Sequence, residues 1–167
     1  HLSIRRQRQM CIRDRFNPRL VCVDNSEQAR ELRETFRDGN SGTETEFVWG
    51  VEGLVQVSSD PEVDLVVAGI VGAAGLQPTF SAVQAGKTVA VANKEPLVMA
   101  GELFVQTANK TGAKLLPTDS EHNAIFQALH GESPDRIARL ILTASGGPFR
   151  DLPLKEFEKI TLTEALR

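Results

Sequence analysis

Residues 63 to 72 read VDLVVAGIVG, a run of valine, leucine and isoleucine without the polar alternation of a half-buried strand. Continuous β-branched sequence of this kind suits a central parallel strand with helices packed on both faces. That one expectation constrains the whole chain, because parallel neighbours cannot be joined by a tight hairpin and need crossovers of about a dozen residues or more.

The flanking sequence supplies such crossovers. PRLVCVDN (18 to 25) is a short valine-rich strand, and SEQARELRETF follows it with Ala29, Leu32 and Phe36 on one helical face. Ser26 and Glu27 open that helix and Gly39 closes it. TEFVWG (45 to 50) reads as a strand and VEGLVQVSS as a short helix. GAAGLQPTFSAVQAG (72 to 86) reads as a helix, KTVAVAN (87 to 93) as a second fully buried strand, and residues 96 to 112 as a helix. AKLLP (113 to 117) is a strand, EHNAIFQAL (121 to 129) a helix, and RLILTAS (139 to 145) a last strand beyond the polar linker around GESPDR. Strand and helix alternating at this spacing predict an α/β fold with a doubly wound, mostly parallel sheet. At 167 residues and 41% hydrophobic, the chain can bury one substantial core but not two.

Charge and composition narrow the function classes. With 19 basic and 22 acidic residues the net charge is −3, which gives no electrostatic basis for nucleic-acid binding. No run approaches the roughly 18 apolar residues of a membrane span. Two cysteines, Cys11 and Cys22, make no disulfide framework, and a reduced cytoplasmic setting is expected. Residues 1 to 15, HLSIRRQRQMCIRDR, carry five arginines and no face to bury. They read as a basic tail, resemble a translated sequencing adapter, and place the expected native start near Phe16.

In a doubly wound sheet, ligands lie at the carboxyl ends of the strands. Here those ends are Gly69 to Gly72, Asn93 to Glu95, Asp119 to His122 and Ser145 to Gly147. GIVGAAG, with its three glycines, allows close approach of a ligand to backbone, tight packing of strand on helix, or a plain tight turn. Lys94 after a buried strand suits a phosphate or substrate oxygen, although an ordinary surface lysine is the commoner case. Asp119 and Glu121, at positions i and i+2, would project to one side of extended backbone and converge on a hard cation such as magnesium or manganese. Alternatively, Ser120 caps a helix whose positive end favours Glu121. His122 is open to a packing or a functional role. Ser145-Gly146-Gly147 could cradle an anion or simply form a Gly-Gly-Pro turn.

Taken together, GIVGAAGL (69 to 76), AGKTVAVANKE (85 to 95), LPTDSEHNAIFQ (116 to 127) and LILTASGGPFR (140 to 150) resemble the 1-deoxy-D-xylulose 5-phosphate reductoisomerase family, in order, across nearly everything from Phe16 to Arg167. The resemblance implies a Rossmann-like NADPH-binding domain over 16–117 and the start of an α+β catalytic domain over 118–167. It implies conversion of 1-deoxy-D-xylulose 5-phosphate to 2-C-methyl-D-erythritol 4-phosphate, in non-mevalonate isoprenoid synthesis, with NADPH and magnesium, manganese or cobalt. It further implies a small sugar-phosphate substrate, a homodimeric full-length parent, and a location in bacterial cytoplasm or a plant or algal plastid.

Carried over by motif, the resemblance implies that Asp119 and Glu121 ligate metal and that Ser120 contacts substrate. It implies that Lys94 holds substrate oxygens, that Ser145 binds the substrate phosphate, and that Gly69, Ile70, Val71, Asn93 and Glu95 lie at the cofactor. Lys94 and Glu121 are the implied catalytic residues. Pro96 replaces a serine typical of the family, and the amino-terminal glycine-rich turn and third metal carboxylate are absent from the motifs present. The 167-residue chain alone is therefore expected to be marginally folded and inactive. Two other functions fit the residues: a metal-free NAD(P) oxidoreductase in which Asp119 to Glu121 is only a helix cap, and a binding module that uses the basic first fifteen residues.

Overall fold

The computed structural model describes residues 15–37, 45–143 and 146–165, and every strand pair in it is parallel. Leu20–Val23 (β1) lies beside Glu46–Trp49 (β2), with Leu20 opposite Glu46 and Val23 opposite Trp49. A second sheet runs Leu65–Ala68 (β3), Thr88–Val91 (β4), Lys114–Pro117 (β5), with β4 in the middle. Ser26–Arg37 (α1), Gly50–Ser59 (α2), Leu76–Gln84 (α3) and Glu95–Thr111 (α4) are the crossovers that parallel pairing demands. The chain thus has the parallel α/β architecture its sequence pattern predicts, divided between two open sheets among the described residues.

Helix boundaries follow local chemistry. The Asn25 side chain accepts a hydrogen bond from the Gln28 amide at 3.0 Å, so Asn25 is the N-cap of α1 and Ser26 its first helical residue. Pro96 occupies the first turn of α4, where its missing N–H costs nothing. At the other end Gly112 takes φ 80°, the left-handed conformation that closes a helix and that side-chain-bearing residues resist. The helix breaks geometry once, at Ala100, whose φ is −147°.

The core forms where α3 and α4 cover the second sheet. Val83 and Phe104 from these helices meet Val89 and Val91 of β4, and the Phe80 and Phe104 rings pack edge to face at 5.2 Å. By contrast, the run expected at the sheet centre is an edge. Only Leu65–Ala68 of residues 63 to 72 is strand, and Val67 is 69% exposed. The middle place belongs to β4, which has hydrogen-bonded neighbours on both sides and a fully buried Val89.

One polar junction ties the amino-terminal ends of strands from both sheets. Arg19 Nη2 donates to Asp60 Oδ2 at 2.5 Å, the Glu62 amide donates to Asp60 Oδ1 at 3.0 Å, and Lys87 Nζ donates to the Asp60 carbonyl at 2.6 Å. Hydrogen bonds from the Glu62 amide and from Arg19 hold the Asp60 carboxyl below the ordinary aspartate range. A carboxyl whose folded value is depressed stabilises above its unfolded value and loses that contribution as pH falls through the folded one. Asp60→Asn is therefore expected to lower the melting temperature at neutral pH, with the difference from wild type closing as the solution is acidified. Thermal melts across pH check this, and a difference independent of pH would refute it.

Residues up to Thr118 and from Asp119 onward are two compact units, and each is taken by itself. The second contains Ser120–Leu129 (α5), short 3-10 turns at Pro134–Arg136 and Leu154–Lys159, and the four-residue helix Leu162–Ala165 (α6). The strand predicted over 139 to 145 does not form in the described part, 139–143. Leu140, Ile141 and Leu142 are each more than half exposed there, because this unit holds no second strand among its described residues to pair with them. Among the described residues no helix is long and apolar enough to cross a membrane.

Candidate functional site

Two of the predicted strand ends meet in the first unit. The Ala92 and Asn93 amides both donate to the Ala68 carbonyl at 3.0 Å, which joins the carboxyl ends of β3 and β4. Beyond Ala68 the chain makes the loop Gly69-Ile70-Val71 and the 3-10 turn Gly72–Gly75 before entering α3. The Asn93 side chain crosses to that loop. Its Nδ2 donates to the Ile70 carbonyl and, at 3.1 Å, to the Gly72 carbonyl, while its Oδ1 accepts from the Glu95 amide at 3.1 Å.

These bonds leave a defined edge. Gly69, Ile70 and Val71 are exposed, Val71 at 80%, and a side chain at Gly69 would meet no neighbour within 4 Å. Open backbone beside two apolar side chains suits a flat ligand with hydrogen-bonding edges, so the loop fits a dinucleotide in kind. Lys94 is exposed, and its carbonyl accepts the Leu97 and Val98 amides at 3.0 Å to start α4. Its ammonium pairs with no carboxylate among the described residues. Glu95 is the first residue of α4, exposed at the positive end of the helix dipole.

Of the roles open to the three glycines, packing is the one Gly75 takes. A Cβ built there would lie 2.5 Å from the Ile70 carbonyl oxygen, closer than a side chain tolerates against backbone, and a tight 3.0 Å from Asn93 Nδ2. The third glycine of GIVGAAG carried the signal, which concerns packing of loop on helix and not ligand contact.

The second unit opens on Asp119, which proves to be the N-cap of α5 in place of Ser120. Asp119 has extended backbone (φ −71°, ψ 151°), and its Oδ2 accepts from the His122 amide at 3.4 Å and lies 2.5 Å from His122 Nδ1. Burial acts to raise the Asp119 carboxyl, but hydrogen bonds from the His122 ring and amide outweigh it and hold the carboxyl below the usual range. Ser120 begins the helix and is exposed, and Glu121 is half-buried in its first turn. Asp119 is extended and Glu121 helical, so the alternation of a continuous extended chain does not by itself set where the two carboxylates lie relative to each other. The ring and the amide of His122 both partner the capping carboxylate.

Asp119 and Glu121 are hard oxygen donors of the type magnesium and manganese prefer. The set fits such an ion in kind but not in number: no group of three acidic, histidine or cysteine side chains is placed to hold a metal among the described residues. Ser145 lies outside the described residues, as do Cys11 and the basic segment 1–14. Gly147, at φ 119°, turns the chain there, and its carbonyl accepts the Arg150 amide at 3.2 Å.

Comparisons with known proteins converge. The family model described as 1-deoxy-D-xylulose 5-phosphate reductoisomerase matches residues 3–101, and the model of that enzyme's C-terminal domain matches residues 115–167. A Pseudomonas fluorescens protein of that name is 51% identical over 161 residues, covering 93% of this chain and 40% of the relative. A Dechloromonas aromatica relative is 46% identical and covers 99% of the chain and 42% of its own length. Among solved structures, DOX-P reductoisomerase in complex with magnesium superposes with a TM-score of 0.72 at 40% identity, covering 96% of this chain and 42% of that one. The Zymomonas mobilis reductoisomerase in complex with NADPH gives 0.69 at 39% identity, over 93% and 40%. The chain thus spans about two-fifths of the length of the relatives it matches.

Proposed function

Because the chain belongs to the 1-deoxy-D-xylulose 5-phosphate reductoisomerase family, we propose that the full-length protein converts 1-deoxy-D-xylulose 5-phosphate to 2-C-methyl-D-erythritol 4-phosphate with NADPH and magnesium, manganese or cobalt. The observation that carries this is the joining of the β3 and β4 ends, which sets the Gly69 to Val71 loop beside Asn93 to Glu95 where doubly wound sheets hold dinucleotides. It is supported by relatives described with NADPH, with magnesium, and with NADPH, fosmidomycin and magnesium together.

In this reading Gly69, Ile70 and Val71 bear on the cofactor, with Asn93 and Glu95 beside it. The exposed Lys94 ammonium takes substrate oxygens and offsets negative charge that develops on them. Ser120 and Ser145 bind substrate, Ser145 through the phosphate. Asp119 and Glu121 hold the metal through their carboxylate oxygens. Once bound, the metal supplies Lewis-acid polarisation and NADPH supplies hydride. Donors beyond these two carboxylates come from substrate, water and residues outside this chain. The proposal extends to a homodimer in bacterial cytoplasm, or in a plastid.

The capping geometry of Asp119 favours one rival, a metal-free NAD(P) oxidoreductase. Following NADPH absorbance in the full-length protein, with substrate and with or without a chelator, separates the two. Oxidation that needs manganese and stops with chelator is the expected result, and undiminished turnover in chelator would sink the metal-dependent reading.

A further inference from the structure

The Asn93 side chain is 6% exposed, and all of its hydrogen bonds run to backbone. A primary amide has two donor hydrogens. Here one goes to the Ile70 carbonyl and one to the Gly72 carbonyl, while Oδ1 receives the Glu95 amide. Nothing on its donor side remains for a ligand. We propose that Asn93 is a positioning residue: a latch that locks the β3 loop to the start of α4, so that the exposed backbone of Gly69 to Val71 is preformed for a dinucleotide.

Three further features make the latch specific. The Ala92 and Asn93 amides already pin the base of the loop to Ala68, so Asn93 projects from a fixed point. Gly75 closes the loop's far side, because any Cβ there would strike the Ile70 oxygen and crowd Asn93 Nδ2. Thr79 Oγ1 donates to the Gly75 carbonyl at 2.6 Å from within α3, which holds the turn against the helix. Loop, turn and helix start therefore share one buried polar joint, and a buried network of this sort is rigid only while every member is paired.

The chemistry admits few substitutes. Aspartate has the shape of asparagine but would turn an acceptor oxygen toward two carbonyl oxygens, replacing two attractions with repulsions. Serine cannot span to both carbonyls. Gly75→Ala attacks the joint from the opposite side without altering any group at the exposed edge.

The inference rests on the NADPH reading above, and its test is arranged so that each can fail alone. In the full-length protein, amide hydrogen exchange at residues 70–74 and NADPH affinity by fluorescence titration are measured for wild type, N93D and G75A. Both variants are expected to exchange at least tenfold faster in the loop, with protection of β4 unchanged, and to bind NADPH at least tenfold more weakly. Weaker NADPH binding in N93D with native loop exchange, and no effect of G75A, would overturn the latch in favour of direct contact. Native exchange in both variants would also overturn it. Should N93D fail to fold, G75A decides alone: a loosened loop supports the latch and a native one refutes it. Failure of wild type to bind NADPH would refute the cofactor reading while the exchange comparison still judged the latch.

Discussion

Phe104→Ala is expected to cost about 3–5 kcal/mol of folding stability, the usual range for an aromatic truncated in a closed core. Phe104 is completely buried on the second half of α4 and meets Phe80 edge to face, with Val83 and Val89 in the same cluster. These neighbours come from α3 and β4, so no single element can shift to fill the void. A single domain holds only about 5–15 kcal/mol in total, so the variant sits near the limit of folding. Urea titration of the full-length protein gives the number. Leu103→Ala is the control, since Leu103 is half exposed and its truncation should cost far less than that of Phe104. A loss under about 1 kcal/mol at Phe104 would mean the α3–α4 core is not the stabilising centre.

The sequence disclosed the order of elements and the loops that carry chemistry, and misled where pattern outran local context. The unbroken apolar run of 63 to 72 reports a strand suited to burial on both sides, yet β3 has one hydrogen-bonded neighbour among the described residues and so presents Val67 to solvent. Periodicity describes the environment a strand is suited to, whereas its place in a sheet depends on which strands are present to flank it. RLILTAS shows the same limit: its β propensity was legible, but a strand exists only through its partner. The helix start at Ser26 was legible, but the cap read at Ser120 erred by one residue, because Asp119 directly before the serine competes for the same amide and takes it. The Asn93 joint was not legible at all. A buried asparagine that bonds only to backbone looks, in sequence, like any polar residue next to a lysine.

The same capping substitution offers a sharp test of the metal reading. Asparagine and aspartate are nearly equal N-caps, so Asp119→Asn keeps an acceptor for the His122 amide and should leave α5 and overall stability within a few tenths of a kcal/mol. It removes one negative oxygen donor. If Asp119 only caps the helix, D119N behaves as wild type while D119A loses about 1 kcal/mol. If Asp119 and Glu121 ligate metal, D119N and Glu121→Gln each weaken manganese binding, and kcat/KM falls by roughly a hundredfold or more, because Lewis-acid stabilisation is worth several kcal/mol and each tenfold is about 1.4 kcal/mol. Calorimetric titration with manganese alone, beside steady-state kinetics on the full-length protein, reads both effects. Native metal affinity in D119N together with wild-type turnover would reduce Asp119 to a cap.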